Sequence, residues 1–203
     1  MDNAMTKSPV LLYTENTPNP ESLKFVTNRM LYKGTADFRE ASLAADWSPL
    51  GYALFDLPYV NGVYICNNFV TITKAFNYDW EDLKLPIKEF IKQYVEEGKT
   101  IVKEGFAEFI AAQEAERHAT DYSGEDAELV KRIKDLIDMY VKPAVEGDGG
   151  NIEFKSFHQG TVTVILQGSC SGCPSSTVTL KAGIEGMLRR MIPEVQEVVS
   201  EMG

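Results

Sequence analysis

The sequence predicts an α+β fold made of two small domains. Segments typical of strands and of helices mix without the regular strand–helix–strand repeat of a doubly wound parallel sheet. The chain has 203 residues, which is long for a single small domain. A charged stretch separates two parts that each carry their own apolar patterns. We therefore place an N-terminal domain at residues 8–98, a charged and partly helical linker at residues 99–124, and a C-terminal domain at residues 125–203.

The N-terminal part combines short strands, short helices and one hairpin. Turn-forming "NTPNP" separates two strand-like runs, and Asn67 and Asn68 lie where the hairpin turns. Ser48 and Pro49 are suited to begin a helix, as N-cap and first helical residue. The longest helix ends at Gly98. In order, the predicted elements are the strands "LLYTE" and "SLKFVTN", the helices "ADFREASLAADW" and "SPLGYALFDL", the hairpin "GVYICNNFVTITKA" and the helix "WEDLKLPIKEFIKQYVEEG".

The C-terminal part predicts the order helix, strand, strand, helix, strand. Apolar residues at helical spacing indicate a first helix over about 126–142, and the turn "EGDGG" follows it. "NIEFKSF" and "TVTVILQ" predict two strands joined at "HQG". A second helix over about 175–191 cannot continue past Pro193, and "EVQEVVSE" predicts the last strand.

Composition and charge exclude several classes of protein. The net charge of −10 argues against nucleic acid or an anionic membrane as a partner, because both require a basic surface. No apolar run approaches the length of a membrane span. Three cysteines do not make a disulfide framework, which indicates a reducing compartment. The first residues, "MDNAMTKSPVLLYTEN", resemble neither a secretory signal nor an Arg-rich transit peptide, so we expect a cytoplasmic protein.

The run "GSCSGCPSS" places Cys170 and Cys173 between a predicted strand and a predicted helix. A helix N-terminus offers unpaired N–H groups and a partial positive charge, and both favour the thiolate. Gly168 and Gly172 allow the backbone to bend tightly and to approach a ligand closely. The pair is therefore suited either to bind metal or to react.

Three interpretations of this pair compete. A thiol–disulfide oxidoreductase needs only two thiols, but thioredoxin-like proteins carry the motif after the first strand of a βαβ unit. A zinc-bridged interaction module needs four Cys or His ligands, and the nearest histidine, His158, lies in a predicted turn. Cys66 lies in a strand pattern, where a buried thiol is the ordinary expectation. A [4Fe–4S] cluster needs four thiolates, which two chains supply with two each.

Several motifs in the same order carry a family resemblance. "PAVEGDGG", "LQGSCSGCPSS" and the helix after them, within residues 126–200, resemble the C-terminal domain of NifU-like iron–sulfur scaffold proteins. "TENTPNPESLKF" and "NFVTITK" resemble the N-terminal domain of the Nfu-type members. The resemblance implies a carrier, not an enzyme, that binds a [4Fe–4S] cluster between two protomers through Cys170 and Cys173.

The resemblance also implies partners: apo iron–sulfur client proteins, upstream cluster-assembly machinery, and a second copy of the chain when the cluster is bound. Neither nucleic acid nor a membrane is expected. Serines at 169, 171 and 175 have no histidine placed to act as their base, so we expect Ser169, Ser171 and Ser175 to cap the helix and to donate hydrogen bonds to cluster sulfurs. The turn with Gly149 and Gly150 is expected to pack beside the cysteines and to shield the cluster.

Overall fold

The computed structural model describes residues 9–117, 124–171 and 174–202. Within them the chain forms two β-sheets, each packed against helices around its own apolar core. This architecture confirms the predicted α+β class. In the part of the chain that is described, no helix has the length and apolar character needed to cross a membrane.

The first sheet has five strands, all paired antiparallel, in the order β1-β2-β5-β4-β3. Side chains alternate across it, so that Leu23 and Phe25 enter the first core while Lys24 points to the opposite face. Asn67 has a φ of 47° at the tight turn, which confirms the predicted hairpin. The strands are β1 (Leu12–Asn16), β2 (Ser22–Thr27), β3 (Tyr32–Phe38), β4 (Val60–Asn67) and β5 (Phe69–Lys74).

The strand β3 corrects the sequence prediction, which began a helix at Ala36. Ala36 and Phe38 are fully buried and pair with Ile65 and Val63 of β4. Gly34, inside this strand, weakens the local strand pattern. The ladder with β4, which joins residues about 30 positions apart in sequence, supplies the hydrogen bonds that local propensity does not reveal.

Helices cover one face of the first sheet. The Ser48 side chain accepts a hydrogen bond from the Gly51 N–H at 2.9 Å, which confirms it as the predicted N-cap. Within residues 99–124, expected to be a linker, Phe106 is buried in the first core and its ring lies 5.8 Å from that of Trp47. The domain limits stay a prediction. The helices are α1 (Ala41–Trp47), α2 (Pro49–Phe55), α3 (Trp80–Glu96) and α4 (Phe106–Arg117).

The second domain begins with one long interrupted helix. Helix α5 (Glu125–Leu136) continues through a π-helical segment, Ile137–Val141, into α6 (Lys142–Gly147). The helix therefore runs five residues beyond the predicted end at about 142. Pro143 lies in the first turn of α6, where its missing N–H costs little. The predicted turn is shorter than expected and centres on Gly149, with a φ of 83°.

The rest of this domain confirms the predicted order. Strands β6 (Gly150–His158) and β7 (Thr161–Gly168) form a hairpin, helix α7 (Pro174–Met191) crosses over, and β8 (Glu197–Met202) pairs parallel to β7. The three strands have the order β6-β7-β8. The cysteine motif thus follows the central strand of the second sheet.

Candidate functional site

The first half of the motif "CSGC", Cys170 and Ser171, follows β7, in a turn closed by a hydrogen bond from the Ser171 N–H to the Gly168 carbonyl oxygen; we call residues 168–171 the cysteine turn. Cys170 is 8% exposed and belongs to the second core. Gly172 and Cys173 lie outside the described residues. Ser175 lies in the first turn of α7, but its side chain is also outside the described part. The structure therefore locates one of the two predicted ligands, at the end of a central strand and just before a helix.

The glycine turn after α6 packs directly against Cys170. Gly150 pairs with Gly168 across the β6–β7 ladder. A Cβ atom on Gly150 would lie 2.6 Å from the Gln167 carbonyl oxygen and 2.9 Å from Cys170 Sγ, so no larger residue fits unless the backbone moves. Gly149 and Gly150 thus lie beside the cysteine turn, while a shielding role remains a prediction.

The two described serines hold the turn through backbone carbonyls. Ser169 Oγ donates a hydrogen bond to the Asp148 carbonyl at 2.6 Å, and Ser171 Oγ donates to the Gly168 carbonyl at 2.7 Å. Ser169 Oγ is also 3.8 Å from Cys170 Sγ. Because each hydroxyl has one hydrogen, the predicted donation to a cluster sulfur requires the serine to leave its present carbonyl partner.

Burial decides the protonation of Cys170. It raises the pKa of the Cys170 thiol, the hydrogen bond with Ser169 lowers it by less, and the charge of Asp148 raises it further. The sequence argument expected the helix N-terminus to favour the thiolate, and in the single chain desolvation of Cys170 opposes this and raises its pKa. Metal binding at this thiol must therefore release a proton.

Neither Cys66 nor His158 completes a ligand set with Cys170. Cys66 is 2% exposed in β4, and burial raises the pKa of its thiol, as expected for an ordinary buried cysteine. His158 is exposed at the end of β6 that is remote from Gly150, roughly 25 Å away at about 3.3 Å per residue. Among the described residues, no group of three or more His, Cys, Asp or Glu side chains is placed to hold a metal ion.

Four residues of the first sheet contact the backbone around the cysteine turn, and the sequence analysis missed them. They are directly paired neighbours on adjacent strands, so they form one row across the sheet face opposite the first core. We call this set the docking row: Lys24 on β2, Thr71 on β5, Tyr64 on β4 and Asp37 on β3.

Each member of the docking row bonds to the main chain of the second domain. Three members donate to carbonyl oxygens of the glycine turn, and the fourth accepts from the N–H of the last residue of β7. The bonds are Lys24 Nζ to the Gly147 oxygen (3.0 Å), Thr71 Oγ1 to the Gly149 oxygen (2.8 Å), Tyr64 Oη to the Gly150 oxygen (3.4 Å), and the Gly168 N–H to Asp37.

This contact requires two residues of the second domain to have no side chain and a positive φ. A Cβ atom on Gly149 would lie 2.8 Å from Thr71 Oγ1, and one on Gly168 would lie 2.9 Å from Tyr64 Cγ. Both glycines have positive φ, 83° and 63°, which other residues adopt at a cost. The alternation in "SLKFVT" places Ser22, Lys24 and Val26 on this sheet face, and a face with such polar side chains is ordinarily expected to meet water.

An ion pair between Arg39 and Asp37 lies at one end of the docking row. Arg39 Nε donates to Asp37 Oδ2 at 3.2 Å, and its Nη2 reaches across to the Leu166 carbonyl oxygen at 3.0 Å. Burial raises the pKa of the Asp37 carboxyl, although Arg39 and the Gly168 N–H each lower it. The arginine thus both compensates the buried carboxylate and joins the two domains.

Comparisons with known proteins cover both halves of the chain. Residues 12–98 match the family model described as "Scaffold protein Nfu/NifU N terminal", and residues 133–199 match the "NifU-like domain". A solution structure of a NifU-like protein from Saccharomyces cerevisiae is 20% identical, with a TM-score of 0.44, and covers 51% of this chain and 93% of that one. At that score the structural likeness carries no weight.

Three relatives illustrate the similarity over most of the chain. The "NFU1 iron-sulfur cluster scaffold homolog, mitochondrial" of Drosophila persimilis is 38% identical over 98% of this chain and 67% of its own length. The protein of the same name from Homo sapiens is 39% identical over 95% and 72%. "NifU-like protein 4, mitochondrial" of Arabidopsis thaliana is 37% identical over 95% and 66%. The chain thus spans about two thirds of the length of these relatives.

These names contradict the cytoplasmic location expected from the sequence. All three relatives are named as mitochondrial proteins, which points to mitochondria rather than to the cytoplasm. The expectation rested on the cysteine count and on first residues that resemble neither a secretory signal nor an Arg-rich transit peptide. Few cysteines indicate only a reducing environment, not a particular compartment. Both domain matches and the identity over nearly the whole chain show that it belongs to the family of NFU1 and NifU-like iron–sulfur cluster scaffold proteins.

Proposed function

We propose that this protein carries a [4Fe–4S] cluster held between two protomers by Cys170 and Cys173 of each, and delivers it to apo iron–sulfur proteins. The observation that carries the proposal is the location of the motif. Cys170 follows a central strand, α7 begins at Pro174, and the opposite wall is a glycine that leaves room for the sulfur. Four thiolates complete the ligand set of such a cluster, and one chain supplies two at this turn.

The chain's own contribution is to hold Cys170 in a fixed turn and to release the protons of both thiols when the cluster binds. Ser169 and Ser171 bond to backbone carbonyls and keep the turn closed. The partial positive charge at the N-terminus of α7 favours an anionic cargo by roughly 0.3–1 kcal/mol per helix. No side chain is required to move a proton in a reaction of a substrate, so the proposed role is that of a carrier and not of an enzyme.

A site shared by two chains is suited to delivery. Separating the protomers removes half of the ligands at once, and an acceptor thiolate can then replace those that remain. Cluster binding and dimer formation are linked, since a ligand that needs both chains stabilises their association. Upstream assembly machinery would supply the cluster, and apo-proteins with thiolate ligands would receive it.

Iron and sulfide content, measured with the mass in solution after anaerobic reconstitution, tests this proposal. We expect about two irons and two sulfides per chain in a dimer. Cys170→Ser and Cys173→Ser should each lose the stable cluster and remain monomeric. The matched control is Cys66→Ser, which alters the third cysteine and should keep the iron content of the wild type.

Two results would overturn the proposal. A Cys173→Ser protein that retained a full cluster would show that the ligand assignment is wrong. A colourless monomer with a reversible disulfide in the motif would replace the carrier by a thiol–disulfide oxidoreductase.

A further inference from the structure

The sheet face that carries the docking row packs against two backbone segments, and these two segments lie next to Cys170. One segment is the glycine turn, which receives three of the four bonds described above. The other is the cysteine turn itself, where Gly168 contacts Tyr64 and the Ser171 carbonyl oxygen lies 3.5 Å from the Asn19 side-chain nitrogen. The residues on both sides of Cys170 are thus held by the first domain.

The docking row is buried, and its polar groups have hydrogen-bond partners in the second domain. Lys24, Thr71 and Tyr64 are 8%, 1% and 1% exposed, and buried polar groups cost free energy unless they are hydrogen-bonded. Each of them donates a hydrogen bond to a main-chain carbonyl of the second domain. A sheet face built to meet water would not bury these groups against glycine carbonyls.

The same contact bears on a cluster shared by two chains, because it fixes the backbone around Cys170 in the single chain. Cys170 is buried beneath Gly150, whose carbonyl oxygen is held by Tyr64. The iron atoms that Cys170 binds must also reach the thiolates of a partner chain, and in the single chain this sulfur is 8% exposed and lies in the second core. The cysteine turn must therefore become accessible before the second protomer completes the ligand set.

We propose that the docking row is a cover that holds the cysteine turn closed in the single chain and releases it when two chains share a cluster. This inference rests on the proposed function, because it assigns a regulation to the same site. Its physical basis is the exchange of four side-chain bonds within one chain for cluster ligation between two. The cover lowers the reactivity of the Cys170 thiol while no cluster is bound.

Alkylation of Cys170 by iodoacetamide in the cluster-free full chain tests the cover directly. The double variant Thr71→Val with Tyr64→Phe removes two donors of the docking row and nearly preserves side-chain shape. We expect Cys170, followed by mass spectrometry of its peptide, to be alkylated roughly tenfold faster, which corresponds to about 1.4 kcal/mol. Iron should also enter the variant faster than the wild type during reconstitution.

The chain offers a matched control for each substitution. Thr73→Val alters the same residue type on the same strand and face, but Thr73 bonds to Ser22 inside its own domain at 2.9 Å. Tyr94→Phe removes a tyrosine hydroxyl that donates to the Thr100 carbonyl at 3.1 Å, also inside the first domain. The combined control should alkylate at the wild-type rate.

Several outcomes would overturn the cover. An alkylation rate equal to that of the wild type would show that the docking row does not restrict the thiol. An equal increase in the control would show that general destabilisation, not release of the turn, exposes it. Slower iron entry in the variant would show that the docking row organises the site for loading rather than closing it.

Lysine acetylation of the wild-type chain gives a second measurement if the double variant does not fold. Lys24 and Lys74 have side chains that are 10% and 6% exposed, and both form an ion pair with a glutamate of the first domain, but only Lys24 also bonds to the second domain. Cluster loading should raise the labelling of Lys24 and leave Lys74 unchanged. Unchanged labelling of Lys24 in the loaded dimer would refute the cover.

The two proposals fail in distinguishable ways. The alkylation rate is measured without iron, so it tests the proposed cover even when no cluster binds. Iron and sulfide content of the wild type decides the carrier function even when the alkylation rates do not differ.

Discussion

Replacing Gly150 by alanine should strain the cysteine turn without altering any cysteine. The added Cβ would lie 2.6 Å from the Gln167 carbonyl oxygen, 2.9 Å from Cys170 Sγ and 3.2 Å from the Cys170 nitrogen. Ordinary contact begins near 3.4 Å, so the carbonyl would have to move by about 0.8 Å within the β6–β7 ladder. Overpacking of this kind costs about 1–3 kcal/mol of the free energy of unfolding.

Gly147→Ala is the matched control, three residues earlier in the same segment. Gly147 lies in α6, and a Cβ there meets nothing within 4 Å. Alanine in a helix is favoured over glycine by about 0.5–1 kcal/mol. The two variants should therefore differ by roughly 1.5–4 kcal/mol, in opposite directions from the wild type.

Urea unfolding followed by two signals measures the difference and locates it. Circular dichroism at 222 nm reports on all helices, whereas both tryptophans, Trp47 and Trp80, belong to the first domain. We expect Gly150→Ala to shift the dichroism transition more than the fluorescence transition, and to lower the iron content after reconstitution. Equal stability of the Gly150→Ala and Gly147→Ala proteins would refute the close packing of Gly150 on Cys170.

Three further predictions follow from burial and charge. Phe106→Ala should lower the free energy of unfolding by about 3–5 kcal/mol. Tryptophan fluorescence should report this change because the Phe106 ring packs on Trp47. A loss below about 1 kcal/mol would contradict the packing of α4 in the first core. Leu188→Ala, at a fully buried position of α7, should lower the free energy of unfolding by about 2–5 kcal/mol. Val178→Ala, at a position that is 66% exposed on the same helix, should change it by no more than about 0.5 kcal/mol. Similar losses in the two variants would contradict the packing of this helix. Because burial raises the pKa of Asp37 above its ordinary value of 3.8, the wild type loses stability as pH rises through that raised pKa, and Asp37→Asn does not. The stability of the Asn variant relative to the wild type, from thermal melts, should thus grow as the pH rises above 3.8. A difference that shrinks with rising pH would contradict this prediction.

Much of the fold follows from local patterns in the sequence. The hairpin at Asn67, the helix capped by Ser48 and the order of the C-terminal domain all follow from alternation, helical spacing and turn residues. These features depend on neighbours within a few positions, which is the range over which sequence periodicity carries information. Strand β3 was missed because its partner β4 lies about 30 residues away, and pairing at that distance leaves no local signal.

The sequence by itself determined the family of this protein and its candidate cluster ligands. The spacing of Cys170 and Cys173, their place before a helix and the motifs around them indicate a two-thiol site and its family. Only the tertiary structure decided the environment of Cys170, because desolvation depends on which parts of the chain pack around the thiol. It also brought the docking row, from four separate strands, onto the glycine turn of the other domain. That contact depends on sheet register and domain packing, which join residues up to 152 positions apart, and no pattern along the chain encodes such a distance.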